Sequence, residues 1–172
     1  MKKRYAALIF CAIGLLLGSV TSEAKKKPSV TAESAIVMDV QSGAILYEKN
    51  IDKREYPASI TKVMTALVAI ENSSLSETVT YSRNAVTNLE SGASNIEIQP
   101  GEKLSMEDSL YAILLMSANE ACNGVAEHVA GSIDNFVAMM NQKAKELGCT
   151  GTHFANANGL WMSNPVSYTH LR

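Results

Sequence analysis

Apolar and polar positions change period several times along the chain, and each change predicts an element. Ala35 to Val40 is β-rich, Gln41-Ser42-Gly43 supplies a turn, and Ala44 to Lys49 is a second β-rich run. Together they predict a hairpin. Asn50 to Tyr56 is a polar loop. Ile60, Val63, Met64, Leu67 and Ile70 fall at helical spacing, which predicts about three turns starting near Ser59 and closed by Ser73-Ser74. Leu75 to Ile98 is mixed, with Glu77–Thr80 and Asn95–Ile98 as candidate short strands and Pro100-Gly101 as a turn. Ser105 with Asp108 three residues on reads as a helix N-cap. Leu110, Tyr111, Leu114 and Leu115 predict the buried face of a helix that stops near Met116. A second helix, about Asn119 to Ala130, places Cys122, Val125, Ala126 and Val129 inside. Ser132 caps a third, with Phe136, Val137, Met140, Ala144 and Leu147 inside and Gly148 as its stop. A lone hairpin has too few strands to be stable, so further strands are expected.

The first residues follow another pattern. Lys2, Lys3 and Arg4 precede an apolar run from Tyr5 to about Val20, and the small residues Ser22 and Ala24 follow. This is the layout of a secretory signal peptide, residues 1–24, cleaved after Ala24. The competing reading is a membrane anchor, but the run is short for a hydrocarbon core of about 30 Å and holds Gly14 and Gly18. Cys11 lacks the small residues that would precede a lipidation site. The mature chain, residues 25–172, is expected to work outside the cytoplasm.

Composition narrows the function. Of 172 residues, 47% are hydrophobic and 19% charged, which is enough to bury a core. Lys plus Arg is 15 and Asp plus Glu is 17, for a net charge of −2. That balance excludes a strongly basic nucleic-acid binder, and no nucleic-acid partner is expected. Cys122 and Cys149 are too few for a disulfide scaffold or a zinc ribbon, and Cys122 in its apolar stripe reads as a buried free thiol. His128, His153 and His170 have no metal-ligand spacing, so no metal and no cofactor is expected. His128 is expected to pack on its helix, and Trp161 to be a packing residue or a wall on the substrate side.

Two short patterns carry candidate chemistry. Ser59-Ile60-Thr61-Lys62 puts a serine and a lysine on one helix face, with Cβ atoms about 5–6 Å apart. A neutral lysine can accept the serine proton, and burial and the positive helix N-terminus both favour the neutral form. The Ser59 N–H could point into an oxyanion hole. The same spacing also serves a helix cap with a solvated lysine, and Ser22-Glu23-Ala24-Lys25 matches it in the leader. Ser117-Ala118-Asn119 falls in the break between two apolar helices, where polar side chains can reach a cleft. Ser117 could relay a proton and Asn119 hold a substrate amide and the lysine. Here the plainer reading is helix punctuation, with Asn119 as an N-cap, and Ser82-Arg83-Asn84 repeats the pattern. Gly92-Ala93-Ser94 begins like a nucleophile elbow but lacks the second glycine in register.

In this order the two patterns resemble those of the serine D-alanyl-D-alanine carboxypeptidases, the low-molecular-weight penicillin-binding proteins. The resemblance runs from about residue 30 to 162. It takes in Ala35 to Asn50, Tyr56-Pro57-Ala58-Ser59-Ile60-Thr61-Lys62-Val63-Met64-Thr65-Ala66 and Leu114-Leu115-Met116-Ser117-Ala118-Asn119-Glu120-Ala121. Gly151-Thr152-His153-Phe154 and Asn156-Ala157-Asn158-Gly159-Leu160 resemble the family's segment after the helices. The resemblance implies an α/β fold, an antiparallel sheet with a helical cluster. It implies Ser59 as nucleophile on a peptidoglycan pentapeptide, Lys62 as general base, Ser117 as proton relay and Asn119 as substrate-binding residue. It also implies acylation of Ser59 by β-lactams.

The chain departs from the family in places. The family's Lys-Thr-Gly motif, which binds the substrate carboxylate, has no counterpart; Cys149-Thr150-Gly151 lacks the lysine and comes too early. Residues 163–172 do not follow the family's pattern. Residues 25–172 are therefore expected to be a partial catalytic domain of the extracytoplasmic cell envelope, C-terminally truncated or chimeric, that folds poorly alone and has little or no activity, with membrane attachment only in a full-length form. The alternatives are a β-lactamase or endopeptidase of the same superfamily, a non-catalytic remnant, or an anchored interaction protein.

Overall fold

A computed structural model describes residues 28–87, 89 and 92–160. The leader, Cys11, Trp161, His170 and residues 163–172, each given an expectation above, lie outside the described residues. The chain divides into two compact units, residues 1–32 and 33–172. The described part of the first, residues 28–32, holds no helix or strand.

The second unit opens with the predicted hairpin, β1 (Ala35–Met38) against β2 (Ile45–Lys49), antiparallel with Val37 opposite Tyr47. Asp39 sets the turn. Its Oδ1 accepts from the Ser42 N–H at 2.7 Å, its carbonyl accepts from the Gly43 N–H at 2.9 Å, and Gly43 takes φ +70°. The hairpin packs on no other helix or strand among the described residues.

A 3₁₀ turn (Ala58–Ile60) leads into α1 (Thr61–Asn72). β3 (Thr78–Thr80) and β4 (Lys103–Ser105) form a second antiparallel pair, and α2 (Arg83–Thr87) lies between them in sequence. Then come α3 (Met106–Leu115), α4 (Asn119–Ala130) and α5 (Ile133–Glu146). Ser105 caps α3 by accepting from the Asp108 N–H, and Ser132 caps α5 by accepting from the Asn135 N–H, both as predicted. Asn95–Ile98 is not a strand; it is an irregular loop bound to α4. The β4 and α2 segments are too short to show a period, and the sequence reading missed them.

α4 is the centre. Asn119 to Ala126 are buried without a break, and α1, α2, α3, α5 and β3 pack around the helix. A helix buried on every side carries small residues where neighbours approach. Gly124 lies so close to the Tyr81 ring that a Cβ there would stand 2.3 Å from it. From α5, Phe136, Met140 and Ala144 form the buried stripe.

Two burial expectations are corrected, on α3 and at Leu147. On α1 the residues that set the helical period face outward at Ile60, Val63 and Ile70, and the buried face is Thr61, Lys62, Thr65, Ala66, Val68 and Ala69. On α3, Leu110 is buried but Tyr111, Leu114 and Leu115 are exposed, with Met106, Ser109, Ala112 and Ile113 turned inward. Both helices are apolar on two sides, so periodicity could not choose the side facing α4. Leu147 is exposed because it caps α5 beyond the last turn. Among the described residues no helix is long and apolar enough to cross a membrane.

Candidate active site

The junction of α1, the α3–α4 break and the 156–159 turn gathers the polar residues singled out above. Ser59 sits on the 3₁₀ turn, exposed. Lys62, one turn on, is 3% exposed. Its Nζ lies 3.3 Å from Ser59 Oγ, 2.8 Å from Asn119 Oδ1 and 2.7 Å from the Asn158 carbonyl oxygen. Ser117 Oγ donates to Ser59 Oγ at 3.0 Å. All four candidate residues therefore meet in one cluster.

Local backbone explains how. Ser117 takes φ +56° between α3 and α4, and Ala58, just before Ser59, takes φ +47°. Each left-handed non-glycine residue costs about 1–2 kcal/mol, and such strain collects where a fold holds side chains for function. Asn119 is not the N-cap. Ala118 occupies that position without a side-chain bond, and Asn119 is the first helical residue. Its amide is used elsewhere: Oδ1 accepts from Lys62, while its Nδ2 and its backbone N–H both donate to the Ser94 carbonyl, at 2.8 and 3.0 Å.

Sequence reasoning missed the carbonyl partners. Asn158 O reaches Lys62 because the 156–159 turn is pinned on α1. Thr65 Oγ1 donates to the Ala157 carbonyl at 2.5 Å, and Asn156 Oδ1 accepts from the Gly159 N–H at 2.6 Å. Gly159 takes φ +81°, and a Cβ there would stand 1.9 Å from the Ala58 carbonyl oxygen. The signal was an Asn- and Gly-rich run, which marks a turn without saying what its carbonyls touch.

Burial holds the Lys62 ammonium below the ordinary lysine value. A Cys122 thiolate would oppose this, but burial pushes that thiol up to about 12, so it is neutral near pH 7. The cluster thus has a nucleophile candidate, a desolvated amine and a second hydroxyl. His128 lies on α4, and its Nε2 meets Glu77 Oε2 at 2.9 Å. No group of three His, Cys, Asp or Glu that could hold a metal occurs among the described residues.

The profile of the peptidase S11 family, D-alanyl-D-alanine carboxypeptidase, matches residues 21–169. The chain belongs to this family. It is 36% identical over 169 residues to D-alanyl-D-alanine carboxypeptidase DacF of Bacillus subtilis, covering 92% of this chain and 43% of the relative. It is 37% identical over 141 residues to DacC of Escherichia coli, covering 77% of this chain and 35% of the relative. In structure it is similar to the carboxypeptidase DacD of Francisella tularensis, with TM-score 0.76 and 35% identity over 84% of this chain and 35% of that one. It is similar too to penicillin-binding protein 6B of E. coli, with TM-score 0.78 and 29% identity over 87% and 49%. The chain thus has part of the D-alanyl-D-alanine carboxypeptidase fold and spans less than half the length of these relatives.

Proposed function

We propose that this chain carries the acylation centre of a serine D-alanyl-D-alanine carboxypeptidase. The observation that carries the reading is the surroundings of Lys62 Nζ. A neutral amine has two N–H donors and one lone pair. Two of its three polar neighbours, Asn119 Oδ1 and Asn158 O, can only accept. The two N–H bonds go to them, and the lone pair is left facing Ser59 Oγ.

Lys62 then takes the Ser59 proton as the oxygen attacks the carbonyl between the two terminal D-alanines of a peptidoglycan stem peptide. The peptide C–N bond breaks, an ester forms on Ser59, and the leaving D-alanine amine receives the proton from Lys62 through Ser117. Water, deprotonated by Lys62, cleaves the ester, and the proton returns to Ser59. Asn119 keeps a second Nδ2 hydrogen for a substrate carbonyl. β-Lactams, which present a strained amide in the same place, acylate Ser59. The leader at residues 1–24 would deliver the domain, residues 25–172, to the extracytoplasmic envelope where peptidoglycan lies. The mass of the mature N-terminus checks that delivery.

The test is intact-mass analysis after incubation with a labelled penicillin, beside Ser59→Ala. One covalent adduct on the unmodified chain and none on the variant is the expected result. With no Lys-Thr-Gly in this sequence to hold the substrate carboxylate, millimolar penicillin is the working range to use. No adduct there, or an equal adduct on Ser59→Ala, overturns the reading.

A further inference from the structure

Glu120 is the most deeply buried acidic or basic side chain among the described residues, 1% exposed, and the site described above does not use it. It follows Asn119 in the first turn of α4, where the helix dipole favours a carboxylate. Its Oε1 accepts from the Ile96 N–H at 2.6 Å, and its Oε2 is buried without a partner. Two residues earlier on the same loop, the Ser94 carbonyl accepts from both the N–H and the Nδ2 of Asn119. Consecutive residues of α4 therefore grip alternate residues of one loop, one by its carbonyl and one by its N–H. Next to this grip, Glu97 sits at φ +62°. Residues 95 and 97–100 border a cleft of about 310 Å³ against Val86 and Thr87. Ile98 lies in the core and Ile96 packs against it, so the loop is held by packing as well as by these hydrogen bonds.

A side-chain amide has two ends of nearly the same shape, and only its neighbours decide which end faces where. Lys62 needs the oxygen end of Asn119. The Ser94 carbonyl, which can only accept, claims the nitrogen end and so turns the oxygen to Lys62. We infer that Glu120 is a positioning residue that holds the 92–98 loop on α4 and thereby, through Ser94, fixes the orientation of the Asn119 amide toward Lys62. This rests on the acylation reading above for its effect on rate, but not for its effect on structure.

The experiment compares Glu120→Ala, Glu120→Asp and Glu120→Gln in the whole chain. Gln keeps an acceptor for Ile96 N–H and removes the charge; Asp keeps the charge and falls one methylene short. Three quantities are read: the rate of acylation by a fluorescent penicillin at saturation, hydrogen exchange at Ile96, and the Asn119 side-chain amide resonances. A misplaced catalytic group can cost roughly 100-fold in rate. Ala and Asp are expected to slow acylation by roughly that factor, to speed Ile96 exchange and to shift the Asn119 resonances. Gln is expected to restore all three. In an Asn119→Ala background, Glu120→Ala is expected to add nothing to the loss of rate. Unchanged exchange and Asn119 signals in Ala and Asp would overturn the inference. So would a Gln variant as impaired as Ala, or a Glu120→Ala loss undiminished without Asn119. If Ala does not fold, the Asp and Gln pair decides. If the unmodified chain does not acylate, the acylation reading falls, and exchange and resonances still decide the role of Glu120.

Discussion

In the proposed role of base, Lys62 has to lose a proton before it can take one. Burial lowers its value from 10.5 because a desolvated ammonium is costly. The neutral fraction grows as pH rises through the lowered value. The acylation rate is therefore expected to climb with pH and level off below 10.5, which a pH profile with a fluorescent penicillin checks; a rate still rising past 10.5 would count against Lys62 as the base. Lys62→Arg keeps the charge but cannot deprotonate, and should lose roughly 10²- to 10⁴-fold in rate. Stability follows the same linkage. Between its folded value and 10.5, Lys62 is protonated only when unfolded, so its contribution to stability rises with pH there. Cys122 and Tyr81 act in the other direction. Both are held up to about 12, from 9.0 and 10.0, so each stays neutral in the fold after it would ionise in the unfolded chain. Below 10.5 the rise from Lys62 offsets the fall from Cys122, so chemical-denaturation midpoints should fall as pH rises above 10.5, and fall less steeply in Cys122→Ala. Ser59, Lys62, Ser117 and Asn119 were legible because their types and spacing are in the sequence. Ser94 O and Asn158 O were not, because every residue but its neighbours' geometry offers the same carbonyl.

At the scale of elements, the site depends on how closely the 156–159 turn approaches α1. Gly159 and Gly43 make a controlled pair. Both lie at positive φ, +81° and +70°, but a Cβ at 159 would meet the Ala58 carbonyl at 1.9 Å, while at 43 nothing lies within 4 Å. Gly43→Ala pays the backbone cost alone, about 1–2 kcal/mol. Gly159→Ala adds overpacking of roughly 1–3 kcal/mol and pushes the Asn158 carbonyl off Lys62. The urea midpoint should fall in Gly159→Ala and hold in Gly43→Ala, whose hairpin packs on no other helix or strand among the described residues, and acylation should slow only in Gly159→Ala. Equal rates in the two would show that the turn does not position Lys62. The elements themselves were legible wherever a cap and a period agreed, as in α3 and α5 with Ser105, Ser132 and Gly148, while α4 was legible by its period alone. Which side of α1 or α3 is buried was not. Ile60 and Val63 compete with Ala66 and Ala69, and the winner is set by the close approach to α4, where small side chains fit and large ones do not.

That choice leaves its mark on the whole molecule. α1 is apolar on both sides, and only one is covered: Val63 is 63% exposed and Ile70 54%, while Val68 and Ala69 are buried. On α3 Leu114 and Leu115 are exposed in the same way. The hairpin has Ile36, Val37, Met38 and Leu46 open on its two faces. A helix that is apolar all round is built for burial on all sides, and a two-stranded sheet alone is marginal in water. Against this stands a continuous core around α4, with Val125, Phe136, Met140 and Ile113 fully buried. The two facts predict different behaviour from different parts of one chain. The helices around α4 should melt as one cooperative unit, while the hairpin amides should exchange with solvent as fast as an open loop. The uncovered apolar faces should bind a hydrophobic dye such as ANS in native conditions and make the apparent mass rise with concentration. Fast exchange in α4 together with dye binding would mean that the core itself is loose. Slow hairpin exchange in a monomer that binds no dye would mean that these faces are covered in solution.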